Sequence, residues 1–320
     1  MLNYGEKEVD ALRFVIEEKD NGKSVRDYLR EQGVSATLLS RLKRIENGIT
    51  VNQDQVTVRA ILSTGDLLDI AVEEKESPLH IVPRPLPISI VFENEDLLVA
   101  NKPAFMPTHP SYGHFEDTLA NGLSYHYTAN GVSFRPRFVN RLDRNTTGAV
   151  LVARHALAAA TLSADMANGD IKKTYLALVK GRLDRPMTIE RNIKRQAESI
   201  IIREACAANE GDYAKTIVEP LAASDDFSLV RLLPETGRTH QLRVHLASVG
   251  HPMLGDDLYG VADALMKRHA LHAATLTFPS PRTRETVKVC APLPTDMRSK
   301  IIELGEEAIA LAEAECGQTG

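Results

Sequence analysis

Four prolines in eleven residues constrain this chain most. Pro78, Pro83, Pro85 and Pro87 fall within Ser77–Pro87. Proline lacks an N–H and fixes φ, so this density excludes a helix or a central strand. The stretch reads as an extended linker dividing the chain. The division predicted is a small domain over 1–76, the linker over 77–87, a large domain over 88–295 and an acidic C-terminal helix or tail over 296–320. A length of 320 residues accommodates two such domains.

The first segment carries two short helical patterns. Ser24 is a candidate N-cap, Val25, Tyr28 and Leu29 form an apolar stripe, and Gly33 stops the helix. A second helix follows, with Ser35 or Thr37 as cap and Leu38, Leu39, Leu42 and Ile45 facing inward. Arg41, Lys43 and Arg44 lie on its other side, an ordinary solvated face when taken alone. Leu12–Ile16, Ile49–Asn52 and Gly65–Ile70 are strand-like.

In the large segment, Ile88–Pro103 reads as two strands around an acidic turn, and Asp117–Tyr127 as a helix. Val139–Arg154 places Asp143 between Arg141 and Arg144, then turn-formers, then the β-branched run Ala149–Ala153. Asp before a turn is commonly a turn-former, because its carboxylate accepts nearby amides. Five arginines around it (135, 137, 141, 144 and 154), with no other acid in the segment, favour a site. His155–Asn168 is an Ala-rich helix ending at Gly169. Lys172–Gly181 is a strand with Lys173, Tyr175, Ala177 and Val179 on one face. Thr239 is a candidate cap for a helix carrying Leu242, Leu246 and Val249. Gly237-Arg238-Thr239 at its start, with Arg238, His240 and Arg243 as donors, suits phosphate. Leu271–Phe278 reads as a further strand, and Asn192–Glu219 as an insertion with a strand pair.

Three elements resemble the RluA-type family of pseudouridine synthases. R-L-D-R-N-T-T-G from Arg141 is similar to the family's R-L-D-x-x-T-S-G. Lys173-Thr-Tyr175 begins its K-x-Y-x-A-x-V-x-G element, and G-R-T-H-Q-L-R-V-H-L from Gly237 matches its G-R-x-H-Q-[LI]-R-x-H-L. Asn140 stands where the family often has His, and Thr147 where it has Ser. The N-terminal order of two helices, a G-x-x-V-N element and a G-D strand resembles the S4-type RNA-binding domain.

The resemblance implies an α+β fold, with a mixed, mainly antiparallel catalytic sheet after a small α/β domain. It implies isomerisation of RNA uridine with Asp143 as catalytic residue and no metal or organic cofactor. Arg141 is the candidate wedge for a flipped base, Tyr175 stacks beneath it, and Arg243 pairs with Asp143 in a bidentate manner. Arg238 and His240 join the substrate site, and Arg41, Lys43, Arg44 and Arg144 contact RNA. Ribosomal RNA is the leading substrate class, by analogy with two-domain relatives, and transfer RNA the other.

Two other classes stand beside this reading: a non-catalytic RNA-binding or ribosome-assembly factor, and a metal hydrolase using His240, His245 and His251. The scattered His109, His114 and His126 lack metal-ligand spacing. A net charge of −5 counts against an RNA partner, but Glu303, Glu306, Glu307, Glu313 and Glu315 concentrate acid in the tail. Local potential decides such binding. No apolar run reaches the roughly 20 residues of a membrane helix. The polar N-terminus is unlike a signal peptide, and Cys206, Cys290 and Cys316 are odd in number and scattered. These features predict a cytoplasmic protein, with a monomer as the default state.

Overall fold

The structure is a computed structural model, and it describes residues 11–72, 81–132, 134–260 and 262–317. Pro78 and residues 77–80 of the linker expectation lie outside these. Residues 81–87 carry no helix or strand.

The N-terminal unit is a four-stranded antiparallel sheet with two helices. Its strands are β1 (Ala11–Val15), β2 (Ile49–Val51), β3 (Asp54–Gln55) and β4 (Leu67–Ala71), in the order β1-β4-β2-β3. Helices α1 (Val25–Glu31) and α2 (Ala36–Leu42) start at Ser24 and Ser35, whose hydroxyls accept the amides of Asp27 and Leu38. Val25, Leu29, Leu39 and Leu42 bury their side chains against Leu12, Leu68 and Ile70. Each such burial stabilises by about 1.5–3 kcal/mol.

The large sheet has ten strands. It is built from β5 (Ile90–Glu93), β6 (Leu97–Lys102), β7 (Arg137–Phe138), β8 (Thr147–Ala153), β9 (Lys172–Lys180) and β10 (Met187–Glu190). Strands β13 (Lys215–Ala223), β14 (Phe227–Pro234), β15 (Leu271–Pro279) and β16 (Thr286–Cys290) complete it, while β11 (Asn192–Arg195) and β12 (Arg203–Cys206) form a separate hairpin. The path runs β10-β13-β14-β9-β15-β8-β6-β5, with β16 on β15 and β7 on β8. Every pairing is antiparallel except β15 with β8, so the mainly antiparallel α+β class is as the sequence predicts.

Alternation along the strands splits the core between two faces. Val150, Tyr175, Ala177, Val179 and Val230 face α3 (Leu119–Thr128) and α5 (Gln241–Ser248), where Leu119, Leu123, Leu242 and Leu246 cover them. On the opposite face, α4 (Ala156–Asn168) covers Leu97, Val99 and Leu151. Helices α6 (Thr295–Ile301) and α7 (Glu306–Glu315) cover Leu176, Leu178 and Leu229. The tail is therefore not the single helix that its composition predicts. A 3-10 turn over Ile302–Leu304 and Gly305 at φ 98° break it, and Met297, Ile301, Ile309 and Ala312 are buried.

The two units touch through α4. Leu157 joins the N-terminal core, and a Cβ on Gly33 would sit 2.5 Å from the Ala160 carbonyl. Arg282 also donates to the Ala11 carbonyl at 2.8 Å.

The loop holding Asp143 feeds β8 where the sheet turns parallel. At that junction Gly148 has φ 109°, and a Cβ there would lie 2.2 Å from the Ala273 carbonyl, so only glycine permits the strands to meet.

Candidate active site

Asp143 sits on the loop between β7 and β8, with its backbone carbonyl accepting the Thr146 amide at 3.1 Å. Its carboxylate turns outward from that local bend. Arg243 Nη1 reaches Asp143 Oδ2 at 3.4 Å, and His240 Nε2 lies 3.8 Å from the same oxygen. The Asp143 side chain is 23% exposed, open enough for a substrate to reach.

The loop is clamped from below by two buried residues. Thr108 Oγ1 donates to the Leu142 carbonyl at 3.0 Å and accepts the Leu142 amide at 3.3 Å. Lys102, fully buried at the end of β6, donates its three protons to the carbonyls of Pro103, Met106 and Arg144. Burial pushes the Lys102 ammonium down to about 7, opposed by the charge of Asp143. The sequence reading did not select Lys102. It looks like a surface lysine until three carbonyls from two loops converge on it.

Arg243 is buried on α5, and its main partner is Asp256 rather than Asp143. Nε and Nη2 donate to the two Asp256 oxygens at 2.7 Å each. The bidentate pair expected with Asp143 is thus made with Asp256, because Asp256 meets the edge formed by Nε and Nη2. Burial raises the Asp256 pKa, but the Arg243 pair and the amides of Leu258 and Tyr259 outweigh it, leaving it below the ordinary carboxylate value. Asp256, Asp257 and His269 have ligand atoms within 4.8 Å of one another. Arg243 already occupies both Asp256 oxygens and stands where a cation would.

His240 is the N-cap of α5 in the left-handed region, φ 58°, and makes no side-chain cap bond. Thr239 is therefore not the cap. Gln241 organises this turn instead: its Oε1 accepts the Arg238 amide at 3.0 Å, and its Nε2 donates to Lys215 O and Thr216 Oγ1. Tyr259 fixes the His240 ring. The Arg203 amide can only donate, so Tyr259 Oη accepts it, at 2.7 Å. The phenol proton is then free for His240 Nδ1, 2.9 Å away. If that proton goes to Nδ1, the imidazole holds its own proton on Nε2, the nitrogen nearer Asp143. Burial lowers its pKa, and Arg243 and Arg203 lower it further, against the pull of Asp143.

Tyr175 lies on β9, opposite Leu232 and Ala273, with 8% of its surface exposed. Burial and then the Asp143 charge raise its phenol pKa, so it is neutral near pH 7. Arg141 and Arg144 are exposed on either side of Asp143, and Arg144 Nε donates to the Phe105 carbonyl at 3.3 Å. Arg238 is exposed and donates from Nε to the Tyr213 carbonyl at 2.9 Å. Arg41, Lys43 and Arg44 are exposed at α2 of the N-terminal unit, with no described contact to the Asp143 loop.

The alternative metal triad is not assembled. His245 binds Thr216 and the Arg191 carbonyl, and His251 the Lys180 carbonyl, while His240 faces Tyr259. Among the described residues, no helix is long and apolar enough to cross a membrane.

Comparison with known proteins identifies the family. Residues 96–248, which include Asp143, Tyr175, His240 and Arg243, match the family described as RNA pseudouridylate synthase. The uncharacterized RNA pseudouridine synthase YjbO of Bacillus subtilis is 39% identical over 281 residues, covering 88% of this chain and 98% of its own length. Ribosomal large subunit pseudouridine synthase D of Pasteurella multocida is 36% identical over 275 residues, covering 80% of this chain and 84% of its own. The solved structure of human RNA Pseudouridylate Synthase Domain Containing 1 overlays with a TM-score of 0.55 at 31% identity, covering 69% of this chain and 87% of that one.

Proposed function

The chain belongs to the RNA pseudouridylate synthase family, and from that premise we propose that it isomerises uridine in large-subunit ribosomal RNA with Asp143 as the catalytic residue. The observation that carries the proposal is the Asp143 carboxylate, 3.4 Å from Arg243 Nη1 and 3.8 Å from His240 Nε2 while still open to solvent.

The reaction breaks the bond from C1′ to N1 and forms one from C1′ to C5. C5 loses a proton and N1 gains one, so the atoms balance. The target base must first leave its stack, at about a few kcal/mol, and Arg141 at the rim fills the space it vacates. Tyr175 stacks beneath the uracil as a neutral phenol and supplies a hydroxyl rather than a base. Asp143 provides the negative charge that the electron-poor sugar needs as its bond to N1 breaks. Arg243, held by Asp256, keeps that carboxylate in place.

Ribosomal RNA is favoured over transfer RNA by relatives named for the ribosomal large subunit, at 32–36% identity. Arg144 and Arg238 meet the backbone near the target. The N-terminal unit, with its S4-type order, docks RNA through Arg41, Lys43 and Arg44. All of these groups come from one chain, so the proposed working unit is a cytoplasmic monomer.

The test is pseudouridine mapping by carbodiimide-blocked primer extension on RNA from cells with and without the gene. The account requires one or a few stops in large-subunit ribosomal RNA to vanish and to return with wild type but not with Asp143→Ala. Stops that return with Asp143→Ala contradict the catalytic assignment, and stops lost only from transfer RNA contradict the substrate.

A further inference from the structure

Exposed aromatic side chains are concentrated beside the Asp143 loop. The chain has eight Phe, eight Tyr and no Trp. Among the described residues five aromatics are exposed, and Phe105, Tyr112 and Phe115 of these fall within one short loop. The Asp143 loop holds this segment at Thr108, through the two Leu142 hydrogen bonds, and at Lys102, which binds carbonyls of both loops.

Phe105 is the member closest to the catalytic loop, and it is strained. Its φ is 64°, in the left-handed region that suits glycine and disfavours a bulky side chain. The ring gains little packing in return, since the residue is 53% exposed. Its backbone carbonyl accepts from Arg144 Nε at 3.3 Å, which ties a guanidinium of the Asp143 loop to the backbone of this residue. A non-glycine outlier of this kind at the rim of a site points to a ligand-facing role. A ring and a cation on one rigid unit match the two parts of a nucleotide, a base with a π-face and a phosphate.

We propose that Phe105 and Arg144 form a stacking subsite for an unpaired RNA base next to the target uridine, with Phe105 under the base and Arg144 on its phosphate. The subsite rests on the proposed RNA substrate. It separates two roles: Asp143, Tyr175 and Arg243 act on the flipped base, while Phe105 holds the strand it came from.

The test uses the full chain and an unmodified transcript of large-subunit ribosomal RNA labelled with tritium at uracil C5. Removing one stacked base weakens binding about tenfold or more. Phe105→Gly removes the ring and relieves the backbone, so it is expected to melt no lower than wild type while KM rises about tenfold and kcat stays within twofold. Phe105→Trp, placed in the Asp143→Ala background, gives a single tryptophan whose emission is expected to be quenched by the transcript. Wild-type KM in Phe105→Gly, or a loss confined to kcat, overturns the subsite while the RNA reading stands. If wild type releases no tritium from this transcript or from unmodified transfer RNA, the functional reading falls and the subsite falls with it.

Discussion

Arg243 gives Asp256 two hydrogen bonds of 2.7 Å and Asp143 a single contact of 3.4 Å. The stronger pair fixes the guanidinium, and Nη1 is left for the Asp143 carboxylate. Asp143 is thus restrained without being saturated, so an oxygen remains for the substrate.

Asp256→Ala is expected to harm both fold and rate. The Asp256 side chain is fully buried and that of Arg243 is 4% exposed, so removing the acid strands a buried cation. Loss of one partner of such a pair costs about 3–5 kcal/mol. Urea unfolding measures that loss, and tritium release from uridine is expected to slow by about a hundredfold through misplacement of Arg243. Unchanged unfolding would mean that Arg243 is held by other groups.

Tyr259→Phe is the milder change. It removes the hydroxyl that accepts the Arg203 amide and lies 2.9 Å from His240 Nδ1. The expected result is a kcat reduced about tenfold, of the order of one hydrogen bond, with KM unchanged. Nitrogen-15 shifts of the His240 ring are expected to move from the Nε2–H form to a mixture. A pure Nε2–H ring in the variant would refute the role given to Tyr259.

Acid is expected to destabilise the fold through buried neutral histidines. Burial pushes His272 down to about 4 and His269 down to about 3. Below about 6.5 the unfolded chain takes up these protons while the folded protein does not. The stability they contribute is therefore complete above about pH 6.5 and is lost as pH falls toward 4. For His272 the loss is about 3 kcal/mol. Urea midpoints measured from pH 7 to pH 4.5 are expected to fall, with a shallower slope in His272→Gln. Equal slopes would show that His272 does not drive the acid response.

Gly148→Ala tests the junction of β8 and β15. A methyl group there would meet the Ala273 carbonyl at 2.2 Å, on a residue whose φ is 109°. The strands would have to part, with an expected loss of about 3 kcal/mol or more in unfolding free energy. A variant as stable as wild type would show that this junction tolerates separation.

Much of the fold was legible because its elements carry local signals. The β-branched run before Arg154 marked β8, and alternation around Tyr175 marked β9 as a strand with Tyr175 on one face, whose burial on both faces only the structure shows. Ser24 and Ser35 announced their helices. The tail misled because helix-forming residues lie on both sides of Gly305, Met297 to Leu304 before it and the Ala/Glu run after it, and one residue at φ 98° breaks the helix. At the site, motifs named Asp143, Tyr175, His240 and Arg243; of the supporting residues only Lys102 fell in a family-like element, the N-K-P of Asn101 to Pro103, and that element gave it no role. Asp256 lies in a turn, where Asp is ordinary. Lys102 in that element shows its function only when the Met106 and Arg144 carbonyls meet it. Tyr259 gains its role only from the Arg203 amide, which is 56 residues away in sequence. Supports of this kind depend on loops converging in space, which residue spacing does not encode.

The central claim is that Asp143 performs the chemistry. It is tested most directly by single-turnover tritium release from C5-labelled, unmodified large-subunit ribosomal RNA, comparing wild type with Asp143→Asn at matched folding and RNA affinity. The account predicts release by wild type and none above background by Asp143→Asn, with the variant still bound to RNA. Release by Asp143→Asn at the wild-type rate would contradict it.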